Sequence, residues 1–531
     1  MNNLLILYGA DISSHALEPV FDGKSALELS IEQAKKFSGV KKTVLFVSAD
    51  LSVKDLAAEI TNDVTIEKRE SWDKHSILVR IAELQADFDL IYFAYADCPF
   101  LDPVLAGKIA ERHKNYAAEY SYADGWPYGL APETISPGTP GILANILSSS
   151  IKNKSEYKSE HAERDLLFSV IQKDINSFDI EAEISSVDLR CHRLNLCADS
   201  KRNLLLLKNF YSAANGIPDT EKTESIIANQ PNILRTLPNF IPIQVYGGCP
   251  QKCAICPYPS YTDSQGRSDF MDTSKFTALL DKIIEFCGDA VIDLSLWGEI
   301  SLHPDKLKLI EAVLSRPQLS LIIETTGIGW KTEELEKCAA FLKTSGSNAE
   351  APNSRLSWIV SLDTNDPQRY SSLHGAGFAE AQQCAKQLLS LFPNDCYVQA
   401  VRINDEEQDT ENFYRYWKEN SPNGEKNIII QKYDDFCGAL EKKQASDISP
   451  VIRQSCWHIM RDLPILIDGT VPLCREDLSV LKGEKTKVLG NVFTDSLEAI
   501  WQNGVKYYAE HCNKKFNCIC ADCDEYYTYN F

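Results

Sequence analysis

Three cysteines stand together in the middle of the chain, in the run Gly247-Gly248-Cys249-Pro250-Gln251-Lys252-Cys253-Ala254-Ile255-Cys256-Pro257. Their separations, three residues and then two, let one loop bring three thiolates to a single cubane, and the paired glycines let backbone approach the inorganic sulfides. Three ligands leave one iron open. That suits a cluster that binds a small molecule, whereas electron-transfer clusters are normally closed by four cysteines. A zinc knuckle, or core cysteines in chance register, would use the same spacing. Of the 17 cysteines only Cys98, Cys191 and Cys197 precede this loop, and six (Cys456, Cys474, Cys512, Cys518, Cys520 and Cys523) follow residue 455. In a reducing compartment such numbers are better explained by ligation or catalysis than by disulfides, so metal chemistry belongs to the second half.

The elements that must position these residues read as α/β. At 531 residues the chain exceeds a single core and suggests about three folding units. In the first 200 residues apolar runs at Leu4–Tyr8, Thr43–Ser48, Val64–Lys68 and Leu90–Ala96 alternate with helical patterns at Ser25–Phe37 and Lys74–Ala86, a doubly wound signature. Asp102 and Pro103 suit the cap and first position of a helix over Leu101–Lys114. Between Asn209 and Asn239 the pattern decays into Gly, Pro, Asn, Ser and Thr with only short helical stretches, so residues 201–239 read as a linker. Residues 240–440 carry six strands, near Pro242–Tyr246, Val291–Leu296, Leu319–Glu324, Leu356–Leu362, Tyr397–Ile403 and Asn427–Gln431, which predicts a partial (β/α)6 barrel. Its clearest helix is Thr273–Cys287, bracketed by Asp272 and Gly288. Residues 441–531 form a small cysteine-rich domain, in which Asp468-Gly469 turns a hairpin between Leu463–Ile467 and Val471–Leu473.

A CxxxCxxC loop after the first strand of such a barrel resembles the radical S-adenosylmethionine (SAM) enzymes. The resemblance implies a [4Fe–4S] cluster on Cys249, Cys253 and Cys256 that cleaves SAM reductively, with hydrogen abstraction from a peptide, protein or small-molecule substrate. An electron donor such as flavodoxin or ferredoxin is implied with it. Trp297-Gly298-Glu299, after the second strand, is similar to the Gly-Gly-Glu element that holds the SAM amino group, with Trp297 replacing a glycine. Thr325, Ser361, Asp363 and Arg402, at later strand ends, resemble residues lining the SAM pocket, and Asn404 lies beside them. Ile255 replaces an aromatic residue that usually meets adenine.

The tail resembles the SPASM extension, which binds auxiliary clusters. Cys456, Gly469-x4-Cys474 and Gly490-Asn491 match its elements, while the usual terminal CxxCx5CxxxC does not occur. Six cysteines cannot close two cubanes, so one auxiliary [4Fe–4S] cluster is expected on Cys456, Cys474, Cys520 and Cys523, with Cys518 or Cys512 as replacements. Tetrahedral zinc would suit the same four thiolates. Glu476 and Asp477 are expected at the surface or facing the barrel mouth.

The first domain resembles the sugar nucleotidyltransferases of the cytidylyltransferase type, through Asp97-Cys98-Pro99, Asp22-Gly23-Lys24 and Pro127-x-Gly129-Leu130-x-x-Glu133. This implies a nucleotide and a divalent metal near Lys24, Asp97, Glu133 and Asp199. Tyr8-Gly9-Ala10-Asp11 lacks the glycine-rich, Arg-bearing loop that cradles a triphosphate, so binding without efficient transfer is expected. The three parts together resemble the spiro-SPASM family across the whole chain. A competing reading is a nucleotidyltransferase-type binding protein with a regulatory or structural Fe–S or zinc module. The formal charge of −21 argues against nucleic acid. The apolar stretch Leu4–Tyr8 is too short for a signal peptide and no run reaches the ~20 residues of a membrane span, so a cytoplasmic protein is expected.

Overall fold

The first apolar run becomes β1 (Asn3–Gly9), in which every residue is buried, as befits a central parallel strand covered on both faces. In this computed structural model all residues are described except 1, 50, 52–62, 150–161, 163, 263–266, 345–354, 404–406, 446–448, 484–486, 517 and 528–531. Two units emerge, Met1–Thr236 and Leu237–Phe531. In the first, β1 is joined by β2 (Val40–Ser48), β3 (Val64–Arg69), β4 (Leu90–Tyr95), β5 (Tyr120–Asp124), β6 (Glu133–Ile135) and β7 (Ile180–Ile184). The sheet order is β3-β2-β1-β4-β6-β5-β7, with only β6 antiparallel to its neighbours. The strand order reverses between β1 and β4, the crevice where doubly wound sheets bind ligands, and Asp97 follows β4 there. Asp102 caps the helix Pro103–Asn115 through the amides of Val104 and Leu105. The stretch read as a linker instead holds helices Lys201–Ala214 and Thr220–Asn229 within the first unit, because Leu204, Leu206, Leu207, Phe210, Ile226 and Ile227 give each a buried apolar face.

The second unit contains the six expected barrel strands: β8 (Phe240–Pro242), β9 (Ala290–Asp293), β10 (Leu319–Thr325), β11 (Leu356–Ser361), β12 (Cys396–Arg402) and β13 (Ile428–Lys432). They are parallel and paired in chain order, the winding of a partial (β/α) barrel. Helix Thr273–Cys287 has the bounds the sequence predicts, with Asp272 accepting from the Ser274 and Lys275 amides and Gly288 at φ 85° ending it.

The predicted turn forms at Asp468-Gly469: the Gly469 amide, at φ 86°, donates to the Leu466 carbonyl at 2.8 Å, and the Leu466 amide donates to the Thr470 carbonyl at 2.8 Å. The segment Leu463–Ile467 has a second partner that the sequence does not announce. It runs parallel along the free edge of β8, where Leu463 and Ile465 amides donate to Phe240 and Pro242 carbonyls at 3.0 and 2.8 Å. This covers an edge strand of the barrel, and β14 (Thr470–Pro472) then pairs antiparallel with β15 (Val488–Asn491). Barrel and tail share one hydrophobic core, from Ile241 and Leu280 through Ile459, Ile465 and Trp501.

Candidate functional site

The loops at the C-terminal ends of the barrel strands enclose a cavity of about 270 Å³. Cys249, Cys253 and Cys256 all line it, and among the described residues no fourth cysteine does. Burial pushes the Cys249 thiol up to about 12 and the Cys256 thiol up to about 11, and raises Cys253 further. Thiols in such surroundings ionise only beside a cation.

Glu299 is 2% exposed and acts as the hub of the cavity wall. It accepts from Thr325 Oγ1 at 2.7 Å, from the Thr326 amide at 2.8 Å and from the Ser301 amide at 3.1 Å. Burial nevertheless raises its carboxyl above the usual range. Gly298 sits at φ 128°, and a Cβ there would lie 1.9 Å from the Tyr246 carbonyl oxygen, so only glycine fits. Trp297 keeps a left-handed backbone at φ 44° and stacks its ring on Tyr258 at 5.8 Å. Ser361 donates to Glu324 at 2.7 Å, and Gln399 donates to the same carboxylate at 2.8 Å. Asp363 accepts from the Val401 amide at 2.6 Å.

Sequence reasoning misses His374, which is 3% exposed and has Nδ1 3.0 Å from Cys253 Sγ and Nε2 2.8 Å from Asp363 Oδ2. Nothing in its sequence neighbourhood marks it; the contact joins residues 121 apart in the chain. Arg402 is a correction: it is exposed and off the cavity wall, because side chains alternate along β12 and Gln399 and Val401 take the inward positions. Asn404 lies outside the described residues. Beside Ile255 an apolar cluster brings in Tyr433, so an aromatic ring reaches this wall from the loop after β13.

In the tail a second, narrow recess is lined by Cys456, Cys474, Cys520 and Cys523, with His458, Glu476, His511 and Glu525 around them. Cys437, from the loop after β13, lines it too; it falls just before residue 441, where the sequence reading begins the tail. Cys512 is set apart, hydrogen bonded with Tyr508 and Ser455, which corrects its expected part as a replacement ligand. Of Cys518 only the backbone turn is described. Glu476 and Asp477 are 4% and 5% exposed rather than on the surface, Glu476 paired with Arg475 at 2.8 Å and Asp477 accepting from Ser479.

In the first unit Asp97 and Asp199 do converge, but on a guanidinium. Arg164 bonds Asp97 at 3.0 and 2.5 Å and lies 3.5 Å from Asp199. A divalent cation would need that position, so the expected metal pair is already neutralised from within the chain. Lys24 is bound to Glu32 at 2.7 Å, in a crevice to which Asp97 does not contribute. Glu133 accepts from Tyr120 at 2.5 Å, and burial pushes its carboxyl up to about 7. Cys98 and Cys197 Sγ atoms lie 3.2 Å apart beside Asp97.

Residues 456–524 match SPASM, described as an iron–sulfur cluster-binding domain. The second unit is thus a parallel partial barrel with an open three-thiol site, continued into a cluster-binding domain whose cysteines line the second recess. An uncharacterized protein of Treponema pallidum (strain Nichols) is 34% identical over 375 residues, 69% of this chain and 98% of its own length, and the chain belongs to its family. Among solved structures, Streptococcus suis SuiB bound to precursor peptide SuiA aligns with 65% of this chain and 79% of its own at 14% identity and a TM-score of 0.39. A cytidylyltransferase from Leptospira borgpetersenii aligns with 44% of this chain and 97% of its own at 17% identity and a TM-score of 0.35. Among the described residues no helix is long and apolar enough to cross a membrane.

Proposed function

We propose that the barrel is a radical SAM site. The observation that carries this reading is the convergence of three thiols, without a fourth among the described residues, and the buried Glu299 on one cavity at the strand ends. The donor set fits: soft thiolates whose ionisation calls for a cation, in a loop with room for one open iron. Cys249, Cys253 and Cys256 would hold a [4Fe–4S] cluster, which, given one electron from an external donor, would supply reductive cleavage of bound SAM and hydrogen abstraction from a substrate.

The chain's own residues do the positioning. Glu299, already oriented by two backbone amides and the Thr325 hydroxyl, presents a fixed carboxylate to the ammonium of SAM. Ser361 and Glu324 offer polar contacts at the next strand ends, and Ile255 with Tyr433 forms an apolar wall for the adenine ring. Lys432, Asp434 and Arg475 complete the wall. In the first unit the Asp97–Arg164–Asp199 arrangement favours ligand binding over metal-assisted nucleotidyl transfer, because the cation such transfer needs on its phosphates is displaced by a guanidinium.

Reduced, reconstituted full-length protein should convert SAM to methionine and 5′-deoxyadenosine under anaerobic conditions. Cys253→Ala should abolish the product. Undiminished 5′-deoxyadenosine from that variant would overturn the assignment.

A further inference from the structure

The auxiliary centre has more sulfur than a cubane can use. A closed [4Fe–4S] cluster takes four thiolates, one per iron, yet among the described side chains five cysteines line the tail recess: Cys437, Cys456, Cys474, Cys520 and Cys523. Cys437 stands outside the SPASM segment, which begins at residue 456. It comes from the barrel, on the loop after β13, and its sulfur hydrogen bonds with that of Cys523.

The backbone holds Cys437 there at a cost. Phe436 and Cys437 are consecutive non-glycine residues in the left-handed region, at φ 51° and 55°. Such strain persists only where the surroundings enforce it, and it gathers at functional positions. Two carboxylates enforce it here: Asp434 accepts from the Phe436 amide at 2.7 Å, and Asp435 accepts from the Gly438 amide at 2.9 Å. The turn places Phe436 against Trp297 in the barrel cavity, with ring centroids 5.6 Å apart, and sends Cys437 the other way, into the recess.

We propose that Cys437 and Cys523 are alternative ligands to one iron of the auxiliary cluster, the other three irons being held by Cys456, Cys474 and Cys520. Two sulfurs in direct contact reach the same coordination position, and a cubane iron accepts one thiolate from protein. Exchange is a substitution of one thiolate for the other: one Fe–S bond forms, one breaks, and the departing sulfur takes up the proton its rival releases, with no change of oxidation state. The barrel loop thereby gains a bond to the auxiliary centre that the SPASM segment alone does not provide.

The test is made on full-length protein carrying Ala at residues 249, 253 and 256, so that only auxiliary iron is counted and failure of the radical SAM reading leaves the result intact. This background should bind about four irons per chain. Adding Cys523→Ala or Cys437→Ala singly should leave about four irons, with different electron paramagnetic resonance spectra after reduction. Adding both should leave that one iron without a protein thiolate, so that added small thiol shifts the reduced spectrum of the double variant and of neither single variant. Loss of iron from the Cys523→Ala protein, or an open, thiol-binding iron in either single variant, overturns the proposal. Should a variant fail to fold, anaerobic alkylation of the loaded background protein decides the matter: modification within the recess should fall on Cys437 and Cys523, and modification confined to Cys437 would show a free thiol that never ligates.

Discussion

Gly298 shows how little freedom the cavity leaves a single residue. Its left-handed φ and the 1.9 Å approach to the Tyr246 carbonyl are separate obstacles to a side chain, one conformational and one steric. Gly298→Ala should cost about 2 kcal/mol or more and displace Glu299, weakening SAM binding. Gly483, also left-handed at φ 83° but with open space around it, is the control: Gly483→Ala should pay the conformational part alone and leave SAM binding unchanged. Thermal unfolding and equilibrium dialysis with SAM measure the two effects. Equal losses in both variants would show that the steric contact is relieved at no cost. Trp297, next door, bears its own left-handed strain and is compensated by stacking on Tyr258.

At the scale of elements, one buried histidine fastens β5 and β6 to the helix Pro103–Asn115. His113 is 4% exposed, with Nδ1 2.8 Å from Ser121 Oγ and Nε2 2.9 Å from Ser136 Oγ, and burial lowers it to about 4. In the unfolded chain it would titrate near 6.5. Between those values the unfolded state binds more protons, so its contribution is complete above pH 6.5 and is lost as pH falls toward 4, by at most about 3 kcal/mol. Denaturant unfolding of the full chain at pH 7 and pH 5 should show a smaller pH-dependent loss for the first unit of His113→Asn than for wild type. Identical losses would mean that the ring is reached by solvent.

For the second unit as a whole, the tail is part of the barrel's core rather than an appendage. Leu463, Ile465, Val471 and Val492 all have 0% exposure and belong to the same cluster as the barrel's Ile241, Leu280 and Trp358. At about 2 kcal/mol each their removal takes about 8 kcal/mol, comparable to the entire stability of an ordinary domain. It also strips the partner strand from β8. A chain ending at residue 440 should therefore keep a folded first unit and lose the cooperative unfolding of the second, read by calorimetry and limited proteolysis. A protease-resistant 237–440 fragment would show that the barrel closes unaided.

What the sequence determined by itself was everything carried by periodicity and close spacing. The six barrel strands, the helix Thr273–Cys287 and its caps, and the three-cysteine loop are local, since side-chain alternation, end signals and short loops express themselves within a dozen residues. Residues 201–236 were locally ambiguous, and their helices show only once partners bury one face. The tertiary structure alone decided the choices among distant partners. It set His374 against Cys253, Arg164 between Asp97 and Asp199, Cys437 beside Cys523, and Leu463–Ile467 along β8. The physical reason is common to all four. A buried charge, thiol or strand edge must find a partner, but the partner's identity depends on which chain segments the folded core brings within hydrogen-bond reach, and sequence separation carries no record of that.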